Sequence, residues 1–250
     1  MKSNYYKLLG LITLFISSCA TMQIDVPHSE LVQYPVKGTQ GLQVNQTVTF
    51  ANYQTQYIKR SWNKGSSRAF GFSTGQQSFM LGAEKKKNEM TFALTTKTGE
   101  NAEVFMTNAL RSRNLFVETS DKVTLNAKRY RAKDSLLNSC YAHIYLANAE
   151  KPWQMQINNA EVEMYKNGVV GKITLDKDNY YTVKTVIKTK PKSISKIPVG
   201  FQFENKNGEI VAAVSLIDNG TIFLKKDDDK EKLLLSSAAL VLLLRDDFVD

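Results

Sequence analysis

The sequence predicts a mainly β domain that ends in one buried helix, on three observations. From Gln46 onward, apolar and polar residues alternate with a period of two, which gives a strand one apolar and one polar face. Turn-forming pairs, among them Asn167-Gly168, Asn207-Gly208 and Asn219-Gly220, punctuate the alternating stretches. A continuous Leu- and Ala-rich run, residues 233–244, then closes the pattern.

The first eighteen residues stand apart from that domain. Lys2 and Lys7 give a positive start, and Leu8-Leu9-Gly10-Leu11-Ile12-Thr13-Leu14-Phe15-Ile16 is apolar. The run falls short of the ~20 residues a membrane-spanning helix needs and has the layout of an export signal. Ile16-Ser17-Ser18-Cys19 follows. This segment resembles the lipobox of bacterial lipoproteins, an aliphatic residue and two small ones before a cysteine. The resemblance implies cleavage before Cys19, a diacylglycerol on its sulfur and an amide-linked acyl chain such as palmitate. Several chains anchor stably, since each buried CH₂ contributes about 0.8 kcal/mol. Ala20 stands where enterobacterial lipoproteins retained at the inner membrane carry Asp, which implies the outer membrane. The competing readings are an ordinary cleaved signal with an incidental cysteine, or an uncleaved anchor.

Cleavage before Cys19 leaves 232 residues and, with Lys2 and Lys7 gone, lowers the net charge from +9 to +7. That length suffices for a core without covalent staples. Acylation of Cys19 leaves Cys140 as the remaining thiol, so no intramolecular disulfide is expected. The positive balance suits anionic surroundings such as lipid headgroups, lipopolysaccharide or acidic polymers. An exported lipoprotein does not meet nucleic acid, so that partner is set aside.

Residues 19–45 read as a lipidated N-terminus and flexible tether, because Pro27, Pro35, Gly38 and Gly41 interrupt a polar stretch without a sustained period. Residues 46–250 read as a single β-rich domain. Strands are expected over 46–52, 68–73, 89–95 and 102–106, then over 140–147, 152–158, 160–166, 169–175 and 179–189. A meander over 199–203, 209–216 and 221–224 completes about a dozen. In Cys140-Tyr141-Ala142-His143-Ile144-Tyr145 the cysteine reads as a small buried hydrophobe. The run Leu233 to Leu244 favours helix, since Val241 is its one β-branched residue. Acids precede it and Arg245 follows, which suits the helix dipole. Apolar all round and only ~18 Å long, it must be enclosed by protein rather than by a bilayer.

A dozen strands followed by such a helix resembles the tubby-like superfamily, which includes the LURP-one-like and scramblase-like proteins. The likeness is carried by Val199-Gly200-Phe201-Gln202-Phe203, by Gly208-Glu209-Ile210-Val211-Ala212-Ala213-Val214 and by the final helix. It implies about twelve antiparallel strands in a closed barrel around the hydrophobic C-terminal helix. No phosphoinositide-binding motif maps onto this chain, so no functional residue is carried over. The alternative is a β-sandwich whose helix covers one end of the core.

Chemistry-bearing patterns are sparse. Gly71-Phe72-Ser73-Thr74-Gly75 matches the G-x-S-x-G elbow of α/β-hydrolases, with Asp121, Asp134 and His143 downstream in triad order. An elbow needs a strand, a sharp turn and a sizeable helix; here a short stretch ending in Gly82 follows. His28 and His143, with the Cys140 thiol, have no zinc-type spacing, and Asp227-Asp228-Asp229 lacks the alternation of a calcium loop. No metal or cofactor is therefore expected.

Lysines offer a better candidate. With Tyr181, Val183, Thr185 and Ile187 on one face of a strand, Lys184, Lys188 and Lys190 share the other, and Lys192 and Lys196 follow. Such a stripe binds anionic headgroups at about 1 kcal/mol per lysine near a surface, or else protects an edge strand. A second basic group, Lys128, Arg129, Arg131 and Lys133, reads as a loop. The sequence thus points to a non-enzymatic, membrane-anchored envelope lipoprotein, a binding or structural module of unknown ligand with anionic lipid or an envelope protein as candidate partners. The alternatives are anionic lipid or lipopolysaccharide binding through the lysine stripe, and a serine hydrolase using Ser73.

Overall fold

The structure, a computed structural model, describes residues 22–26, 30–40, 45–74, 77–121, 124–131, 137–147, 149–158, 168–191, 193–195, 197–226 and 229–245. The expected signal segment, Cys19, His28, Lys133, Asp134, the strand over 160–166, Lys192 and Lys196 lie outside them.

In chain order the first strands are β1 (Gln23–Ile24), β2 (Leu31–Pro35), β3 (Thr49–Phe50), β4 (Tyr53–Arg60), β5 (Lys64–Thr74), β6 (Gln77–Thr96), β7 (Asn101–Asp121), β8 (Thr124–Arg131) and β9 (Leu137–Leu146). There follow β10 (Trp153–Asn158), β11 (Val169–Thr174), β12 (Tyr180–Val186), β13 (Lys188–Lys190), β14 (Ser193–Ile194), β15 (Gly200–Glu204), β16 (Ile210–Ser215) and β17 (Thr221–Lys225), then helix α1 (Asp229–Leu244).

Twelve strands form an antiparallel ring in the order β2-β17-β16-β15-β12-β11-β10-β9-β7-β6-β4-β3. The ring closes narrowly. Just beyond β2, Lys37 and Thr49 exchange both backbone hydrogen bonds at 3.0 Å. Closure removes the exposed edges that an open sheet of this width would present.

Alternation sets what faces inward. Ala102, Val104 and Met106 of β7 are buried, as are Cys140, Ala142 and Ile144 of β9, and Met155 and Ile157 of β10. These residues form one apolar cluster with the helix, whose Leu233, Leu234, Leu235, Leu240 and Leu242 are all buried. Each fully buried leucine contributes about 1.5–3 kcal/mol. Small residues Ser236, Ser237, Ala238 and Ala239 are wholly buried, and the Ser237 hydroxyl donates back to the Leu233 carbonyl at 2.8 Å. The barrel around a hydrophobic helix that the sequence anticipates is therefore the architecture, and the sandwich is not.

The turn before β17 is tailored to the helix. Gly220 has φ +91°, and a Cβ there would lie 2.5 Å from Leu243 Cδ2. Only glycine combines that backbone with so close an approach.

The strands β15, β16 and β17 are buried on both faces. Inside they meet the helix. Outside, Ala213 and Phe223 join Ile24, Val26, Leu31 and Val186 in a second apolar cluster. The segment read as a flexible tether thus enters the fold: β1 pairs with β13, β2 pairs with β17, and Ile24 and Val26 are wholly buried. Its strands are too short to show a period, and Pro35 ends β2 rather than lying in a free linker.

β6 and β7 are 20 and 21 residues long, on the order of 65 Å at the usual strand rise. One half of this hairpin, paired with β4 and β9, belongs to the ring. The other half is flanked by β5 and β8, giving a four-stranded extension in the order β5-β6-β7-β8. The second basic group is therefore not in a loop, since Lys128, Arg129 and Arg131 are paired residues of β8.

Candidate functional site

The lysines predicted as one stripe are divided between two sheets. Strand β12 leaves the barrel at Val186, and β13 enters a separate three-stranded sheet, β1-β13-β14. Val183, Val186 and Thr189 are the buried residues, so the period of two is broken at both intervals. Lys184 stays on the barrel wall, where its ammonium lies 2.6 Å from a Glu204 carboxylate oxygen. The other Glu204 oxygen accepts from the Gln202 amide at 2.8 Å. Lys190 lies 3.2 Å from the Asp25 carboxylate, while Lys188 is exposed.

The small sheet is positioned by the N-terminal strand. Gln23 is opposite Lys190, Ile24 opposite Thr189, and Lys188 opposite Ile194. The Asp25 N–H donates to the Lys188 carbonyl at 2.8 Å. Ile24 and Thr189 face the barrel and are buried. Lys188, Lys190 and Ile194 therefore fall on the outward phase. Ile194 is 72% exposed and Ile197, just beyond, 61%. This juxtaposition of exposed isoleucines, lysines and the first described residues makes the sheet the candidate site.

The hydrolase pattern is not assembled. Ser73 pairs with Ser78 in the β5–β6 hairpin, so strand, turn and strand stand where an elbow needs strand, turn and helix. His143 pairs with Phe105, which pairs with Thr91 of β6. Ser78 and Thr91 are thirteen residues apart on that strand, a separation of about 40 Å. Asp121 ends β7 opposite Thr124, in the extension. Among the described residues, no group of three or more His, Cys, Asp or Glu comes together.

Two further surfaces escape a reading of the sequence. On the outer wall of β7 and β9, Phe105, Tyr141 and Tyr145 are each more than 40% exposed, and Phe105 meets Tyr145 edge-on at 5.7 Å. Nearby, the Tyr57 hydroxyl donates to the Glu103 carboxylate at 2.6 Å. Burial, reinforced by that carboxylate, pushes the Tyr57 phenol up to about 12. The signal in the sequence is that aromatic residues occupy the polar phase of an otherwise regular alternation.

The second surface is a cleft of about 400 Å³, where the chain passes from β4 to β5, lined by Arg60, Trp62, Asn63 and Asn88. Its floor is an asparagine ladder. Asn108 donates to Asn88 at 3.0 Å, and Asn88 to Asn63 at 3.2 Å. Asn88 and Asn108 sit on the inward phase and are buried, so they interrupt the apolar lining of the barrel there.

Comparison with protein families, with curated proteins and with solved structures finds no match to this chain.

Proposed function

We propose that this chain is an envelope lipoprotein. Acyl chains on Cys19 hold it on a bacterial outer membrane, and its barrel serves there as a non-catalytic binding or structural module. The observation that carries the reading is the lipobox Ile16-Ser17-Ser18-Cys19, placed shortly before β1, which is paired with β13 in the small sheet at Gln23–Ile24. A barrel filled by its own helix supports a module that works through its outer surface. The same architecture supports kinship with the tubby-like superfamily. A second reading, binding of anionic lipid or lipopolysaccharide, draws on the exposed Lys188 beside Lys190. The backbone around Ser73 lends no support to a hydrolase.

Intact mass of the protein purified from its native membrane tests the anchor. A mature species beginning at Cys19 with added acyl mass is expected, and Cys19→Ala should lose both the added mass and membrane fractionation. A mature species beginning elsewhere, without acyl mass, overturns the reading.

A further inference from the structure

The position of Cys19 relative to β1 has a geometric consequence for how the barrel meets lipid. Three Cα–Cα steps separate Cys19 from Met22, a reach of at most ~11 Å. Met22 is half-exposed, and the chain is pinned immediately after it. Gln23 and Ile24 pair with β13, Asp25 bonds to Lys188, and the Ile24 side chain is wholly buried. No slack remains for the barrel to swing away from the lipid. Whatever surrounds β1 therefore lies within about a Debye length of the headgroups.

The chemistry of that surround fits an anionic bilayer. From Ile187 to Phe203 the sequence holds four lysines and no Asp or Glu, while Lys184 is held apart on the barrel wall by Glu204. Lys188 and Lys190 lie on the outward phase of the small sheet, where cations are attracted to an anionic lipid surface. Asp25 is the carboxylate paired there, and it offsets Lys190. Ile194 and Ile197, exposed at 72% and 61%, stand among these lysines. Apolar side chains set among cations at an interface enter the headgroup boundary.

We propose that the β1-β13-β14 face is the surface on which the anchored barrel rests on the membrane, with Ile194 and Ile197 at headgroup depth and Lys188 against lipid phosphates. This rests on acylation at Cys19. It also fixes what faces outward. The small sheet packs on β16 and β17, and β16 and β7 are six positions apart in the ring of twelve. The aromatic wall of Phe105, Tyr141 and Tyr145 is thus turned away from the lipid.

Site-directed fluorescence on the full acylated protein tests this. Ile194→Cys, Ile197→Cys and, on the opposite wall, Tyr145→Cys are each labelled, the native Cys140 thiol being buried. The labelled proteins are reconstituted in phosphatidylethanolamine–phosphatidylglycerol vesicles carrying a headgroup nitroxide lipid. Labels at 194 and 197 should be quenched at least twofold, and the label at 145 should keep its intensity. Flotation with the vesicles but equal quenching at all three positions, or quenching strongest at 145, overturns the docking face and leaves the anchor standing. Absence of acyl mass together with failure to float removes the anchor and this proposal with it.

Discussion

The guanidinium of Arg60 donates to the carbonyl oxygen of Leu244 at 3.2 Å, joining β4 to the last residue of the helix across 184 positions of sequence. Helix C-terminal carbonyls have no partner within the helix, and a cation beside them also favours the helix dipole. The same guanidinium donates to the Gln46 side chain at 3.1 Å, so one residue ties the wall, the plug and the segment before β3. Arg60→Met should destabilise the fold by about 1–3 kcal/mol. The check is a lowered urea midpoint with an unchanged slope.

The asparagine ladder gives a test with a definite sign. Asn88→Leu alone leaves Asn63 and Asn108 facing an apolar group, at a cost of about 1–3 kcal/mol. In the Asn88→Leu/Asn108→Leu double variant the second loss is cushioned, because the pair's bond is already gone. Its destabilisation should be smaller than the sum of the two single ones. Additive costs in a denaturation cycle would show that the ladder does not act as a unit.

Tyr57 supplies a prediction in pH. Its phenol is raised from 10 to about 12, by burial first and then by Glu103. A raised folded-state value favours the protonated form, so its stabilising contribution is complete below about 10 and is lost as pH rises through about 12. Ultraviolet titration at the phenolate band should show one tyrosine ionising late. Glu103→Gln should bring that titration back only part of the way, since burial remains.

Much of the fold is legible because strand alternation and helix composition are local properties. Met90, Phe92 and Leu94 announce the inward phase of β6, and residues 233–244 announce enclosure by being apolar all round. The N-terminal segment is harder to read. Ile24, Val26, Leu31 and Val36 are buried, yet strands of two and five residues leave no period to detect. The lysine stripe misleads for a related reason. Tyr181 to Lys190 alternates well on paper, but the chain changes sheets at Ile187, so Lys184 and Lys188 are on different surfaces. The long hairpin is legible only in part, since alternation marks 89–95 and 102–106, whereas pairing runs unbroken from Gln77 to Thr95. Neighbouring strands decide such matters, and one stretch of chain does not record its neighbours.

The element at the centre of the barrel comes later in the sequence than every strand that surrounds it. During synthesis the wall emerges first, before the helix it closes upon. Final assembly must therefore wait until α1 arrives. Until then the inward-facing residues of the wall lack the helix that completes their apolar cluster.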